Sequence, residues 1–143
     1  MGFAHVQSGY TLTVPGDSRS LSVVRGMIEA VCKLGGYDDQ TRYEIVAAVN
    51  EACSNVITHA YGGEQQLPVT LECTVSDEGL EVRLRDEGHQ FDFDAVPELD
   101  PTEVRNGGRG VYLIRRYLDD VSSAVSPDGS NELRMFKRTA RSA

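Results

Sequence analysis

The sequence predicts a two-layer α+β sandwich, with one mixed sheet and helices packed on one of its faces. Three observations predict it. Strand-like and helix-like stretches follow the order β, α, α, β, β, loop, α, β, β, so they do not alternate one for one as a doubly wound sheet requires. The strand-like stretches alternate apolar and polar residues, the mark of a sheet covered on one side. No repeat, linker or low-complexity segment divides the 143 residues, a length suited to a single domain.

Each element has its own signal. Tyr10, Leu12 and Val14 alternate until Pro15-Gly16 breaks the run, which gives a short first strand. Asp17 or Ser18 can cap a helix whose repeat is Leu21, Val24, Ile28, Val31 and Leu34, and Gly35-Gly36 ends it. Asp38 or Asp39 opens a second helix that runs to about Gly62-Gly63. Val69, Leu71, Cys73 and Val75, then Leu80, Val82 and Leu84, read as two strands of a hairpin turned by Ser76-Asp77-Glu78-Gly79. Periodicity then vanishes from Asp86 to about Gly108, a span expected to be functional or mobile. Val111, Leu113, Ile114, Tyr117 and Leu118 mark a third helix. Val121 to Val125 and Glu132 to Lys137 close the fold as a hairpin around Pro127-Asp128-Gly129. A tail frayed from Thr139 is expected.

Composition narrows the function. Hydrophobic residues make up 40% and charged residues 25%, ordinary for a soluble globular protein. A net charge of −8 argues against direct nucleic-acid binding, which needs a basic surface. No apolar run approaches the roughly 20 residues that span a bilayer, and no leader-like stretch precedes Tyr10. A cytoplasmic protein without membrane contact is the expectation. Cys32, Cys53 and Cys73 show no metal-ligand spacing and read as buried, unreactive thiols. Arg105, Arg109, Arg115 and Arg116 concentrate positive charge where phosphates or an acidic partner would be met, though Arg115 and Arg116 suit a solvated helix face.

The chemistry lies in three places. Glu51, Asn55 and His59 recur every four residues along the second helix, so at about 100° per residue they form one slowly drifting row. Ile45, Val46, Val49, Ala52, Cys53, Val56 and Ile57 are expected to supply the buried face beside that row. A carboxylate next to an amide oxygen suits a hard divalent cation and its water, although a plain solvent edge also carries Glu and Asn. Asp86-Glu87-Gly88 ends a strand. Gly107-Gly108-Arg109-Gly110 precedes the third helix, where free N–H groups and the positive dipole end attract anions. There is no GxxxxGK[ST] loop, so this is not a P-loop protein.

Together these places resemble the three sequence boxes of the Bergerat-fold (GHKL) ATPases, the superfamily of gyrase, histidine kinases and MutL, over roughly residues 10 to 138. The wording NEA…N…HAYGG and GRGVYLI is most similar to the bacterial anti-sigma factor serine kinases. The resemblance implies a two-layer Bergerat sandwich over residues 1–143, with a lid at about 88–107. It implies ATP and magnesium as ligands, with Glu51 as general base and Asn55 as magnesium ligand. Asp86 would bind adenine, with room left by Gly88, and Gly108, Arg109, Gly110 and Val111 would lie under the phosphates. His59 would either face the phosphates or end its helix as a favourable cation.

The implied activity is phosphorylation of a serine on a small anti-sigma antagonist by a homodimeric kinase that also sequesters a sigma factor. The transducer domain of gyrase-like proteins and the dimerisation helices of histidine kinases do not fit in 143 residues. A nucleotide-gated binding module without catalysis is the alternative, and a simple ATPase a distant third. Two departures stand out. Gln90 replaces the second glycine of the Asp-x-Gly-x-Gly box. Gly129-Ser130-Asn131-Glu132 stands where many relatives have Gly-Thr before the last strand, which leaves open which hydroxyl, if any, takes the threonine's place.

Overall fold

The computed structural model describes residues 7–60, 67–88 and 109–139, with the backbone alone at His59, Ala60 and Arg109. The chain forms β1 (Ser8–Pro15), α1 (Leu21–Leu34), α2 (Asp39–Asn55), β2 (Pro68–Val75), β3 (Gly79–Asp86), α3 (Arg109–Tyr117), β4 (Asp120–Val125) and β5 (Asn131–Arg138). The strands form one sheet in the order β1-β2-β3-β5-β4. Segment 89–108, with Arg105, Gln90 and most of the expected lid, lies outside the described residues.

The sheet corrects one expectation. Among the described residues it is not mixed, because all four pairings are antiparallel. The α1–α2 hairpin returns the chain to the end of the sheet it left, so β2 runs against β1. The crossover through α3 does leave β3 and β4 pointing the same way. However, β5 folds back between them, so the two parallel strands are never neighbours.

Local chemistry sets the element ends. The Asp17 carboxylate accepts from Arg19 N–H and caps a 3-10 turn at Ser18–Ser20, so α1 proper begins later than its cap signal suggests. Asp38 accepts from Thr41 N–H at 2.8 Å and caps α2. Beyond Asn55, α2 continues as a π turn, Val56–Ala60. In the β2–β3 hairpin, a Cβ on Gly79 would stand 2.1 Å from the Lys137 carbonyl oxygen, so only glycine fits.

One face of the sheet is the core. Leu71, Cys73, Leu80, Val82, Leu84 and Met135 pack under Val24, Ile28 and Val31 of α1, Ile45 and Val49 of α2, and Val111 and Ile114 of α3. Leu34 belongs to the α1 repeat but is 62% exposed, because at about 100° per residue it lies about 120° round the helix from Ile28, off the buried stripe. Cys32, Cys53 and Cys73 are buried as expected, and burial pushes each thiol up to about 12. Replacing the fully buried Ile114 with Ala should cost about 2–5 kcal/mol, read as a lower urea midpoint.

The other face is a chain of charges. Glu72 pairs with Arg85, Arg85 with Glu132, Glu132 with Arg83, Arg83 with Glu81, Glu81 with Arg134, and Arg134 with Asp120. Burial alone pushes the Glu81 carboxyl up, but hydrogen bonds from Arg83 and Arg134 outweigh it and hold the group below its ordinary value. Such partly solvated pairs add little stability. They do identify the face that no described helix covers.

Candidate functional site

The site is built where α2 meets α3 above the inner face of the sheet. Ile45, Ala48, Val49, Ala52 and Cys53 turn the core-facing stripe of α2 downward. That places Glu51 and Asn55, both half-buried, on the flank of α2 next to α3. The start of α3 comes against them. A Cβ added to Gly110 would stand 2.8 Å from Glu51 Oε2 and 3.6 Å from Asn55 Nδ2. The backbone at the helix start, where N–H groups lack intrahelical acceptors, therefore faces one carboxylate and one amide. Here the first and third sequence boxes are brought together.

The third member of the row falls in the π turn. There the i→i+5 pattern replaces the i→i+4 ladder that carries Glu51 and Asn55. The backbone of His59 lies within this turn. Val111 sends its side chain into the core, where it is 1% exposed, so only its backbone can address a ligand at the helix start. Gly108 lies outside the described residues, as do the side chains of His59 and Arg109. Arg116 is exposed, as its solvated-face reading predicts, and Arg115 is half-buried.

The second box forms a separate corner at the end of β3. Asp86 is the one buried carboxylate among the described residues, 7% exposed, and no described cation pairs with it. A buried carboxylate must be satisfied by hydrogen bonds. Gly88 N–H and the Asn131 side-chain amide both donate to Oδ1, each at 2.9 Å. Asn131 stands directly opposite Asp86 in the β3–β5 register. Sequence reasoning marked Asn131 only as part of a departure. The signal was there: a hydrogen-bonding amide at the head of a strand.

The donor set suits magnesium in a limited sense. Among the described residues, no three His, Cys, Asp or Glu side chains group as a metal cage. Asn55 and Glu51 offer hard oxygens beside an anion-attracting helix start, which suits an ion that takes most of its shell from phosphates and water. A cavity of about 370 Å³ elsewhere, bordered by Glu72, Glu81, Arg83 and Arg134, lies on the open sheet face and takes no part in this arrangement. Among the described residues, no helix is long and apolar enough to cross a membrane.

Known proteins share both pattern and fold. The family model for the histidine kinase-like ATPase domain matches residues 14–137. The serine-protein kinase RsbW of Listeria innocua is 32% identical over 119 residues, covering 78% of this chain and 76% of the relative. That of Bacillus subtilis is 30% identical over 118 residues, covering 77% and 74%. That of Halalkalibacterium halodurans is 33% identical over 127 residues, covering 82% and 76%.

Among solved structures, the RsbU and RsbW domains of a Mycobacterium tuberculosis protein align with a TM-score of 0.65 at 14% identity, over 92% of this chain and 32% of that one. The SiaB–SiaC complex of Pseudomonas aeruginosa aligns at 0.62 with 13% identity, over 94% of this chain and 90% of that one. At these identities the structures speak for the fold alone. The resemblance read from the three boxes is borne out, and the chain belongs to the histidine kinase-like ATPase domain family.

Proposed function

We propose that the chain is an ATP-dependent serine-protein kinase of an anti-sigma factor partner switch. Its protein substrate would be a small antagonist domain bearing the acceptor serine. Its likeness to serine-protein kinases over more than three quarters of its length supports the activity. The observation that carries the site is the approach of Gly110 to both Glu51 and Asn55.

The residues divide the work. The Glu51 carboxylate accepts the proton of the serine hydroxyl as that oxygen bonds to the γ-phosphorus. The bond from the γ-phosphorus to the bridging oxygen breaks, and ADP leaves with the electron pair. The backbone N–H groups at the start of α3 hold the phosphates. Asn55 would hold magnesium, which, when bound, neutralises charge on the phosphates. Asp86 accepts from the amine of adenine. Sequestration of a sigma factor, homodimerisation and a cytoplasmic location complete the proposal, as the resemblance of the three boxes implies.

The test is calorimetric titration of ATP with magnesium into the wild type and Asn55→Ala. Weakening of at least about tenfold in the variant, roughly 1.4 kcal/mol, is the expected result. Equal affinities would remove Asn55 from the site. No heat from the wild type, and no competition by ADP, would remove the kinase reading altogether.

A further inference from the structure

The two oxygens of Asp86 are not equivalent. Oδ1 takes both donors, the Gly88 N–H and the Asn131 amide. Oδ2 takes none from the described residues. Yet among those residues no side-chain oxygen or nitrogen is both sealed from solvent and unpaired, so Oδ2 keeps a path out of the fold. The Asn131 amide nitrogen also reaches the Gly88 carbonyl at 3.1 Å. One –NH2 group therefore ties the acid and the turn after it to the neighbouring strand. The neighbouring hydroxyl does not share this task, because Ser130 Oγ donates to Asp128 Oδ1 at 2.7 Å, within the β4–β5 turn.

We propose that Asn131 is a positioning residue that sets the preference of the site for a 6-aminopurine. By committing Oδ1 to the protein, it leaves Oδ2 as the single acceptor presented to the base. This rests on the reading of Asp86 as the nucleobase-binding acid. A purine with an amine at C6 donates to Oδ2. A purine with an oxo group there sets a carbonyl oxygen against the carboxylate and is rejected. A pinned carboxylate has already given up its rotation, so none of the binding energy is spent on ordering it.

The test is competition calorimetry with ATP and inosine triphosphate, which differ on the C6 side of the ring. It would be run on the wild type, Asn131→Ala, Asn131→Asp and Asn131→Thr. The wild type should favour ATP by about tenfold or more, the range for one hydrogen bond to a charged group. Asn131→Ala should weaken ATP about tenfold while inosine triphosphate stays within about threefold, so the preference collapses. Asn131→Asp keeps the shape, removes both donors and adds a second negative charge, so it should lose more. Threonine, which restores one donor, should recover part of the preference. An unchanged ratio in the Ala and Asp variants overturns the role of Asn131 alone, as does an equal loss for both nucleotides that tracks a lower melting temperature. No ATP binding by the wild type overturns the reading of the whole site, and this inference with it.

Discussion

Glu51→Gln is expected to lower phosphoryl transfer by about 10²–10⁴-fold, the usual contribution of a positioned general base. Gln has the same shape as Glu, so the contact with Gly110 survives and nucleotide affinity should stay within about threefold, less than ~0.7 kcal/mol. The measurement is transfer of labelled γ-phosphate to the serine acceptor, with affinity determined on the same preparation. Transfer unchanged in the variant would remove Glu51 as the base. The rival functions separate in the same experiment. A nucleotide-gated binding module would exchange partners equally well with Gln at position 51. A simple ATPase would turn over without any protein acceptor.

Gly110→Ala is expected to dissociate stability from activity. The new Cβ would stand 2.8 Å from Glu51 Oε2, too close for any real contact. The crowded atom is the free end of a flexible side chain, so Glu51 swings aside and the fold survives. Alanine also suits a helix better than glycine, by up to about 1 kcal/mol. The melting temperature should therefore hold or rise slightly. Transfer should nonetheless fall about 10²-fold, because a base moved by an ångström no longer meets its proton. A fall in activity that merely tracks a lower melting temperature would point to packing instead.

Much of this was legible in the sequence because it is local. The stripe of Ile45, Val49, Ala52 and Cys53 dictated both α2 and its buried face, and Glu51 and Asn55 followed from their place beside it. Asp38 announced its cap through its own chemistry. Non-local features left weaker traces. Nothing in Val56–Ala60 distinguishes a π turn from a further α turn, since the choice depends on which carbonyl each N–H finds. The antiparallel character of the whole sheet depends on β5 inserting between β3 and β4, which no periodicity encodes. Asn131 mattered only once the register set it opposite Asp86.

That register has a kinetic meaning. The bond from Asn131 to Asp86 joins residues 45 apart in the chain, and the bond from Tyr37 to the Lys137 carbonyl closes a separation of 100. Closures of this length come late, since their entropy must be met before their contacts form. Helices should therefore form before Asn131 reaches Asp86. Nucleotide would bind only the finished molecule and would raise the midpoint of global unfolding by mass action. Folding, for this chain, is the first gate on its chemistry.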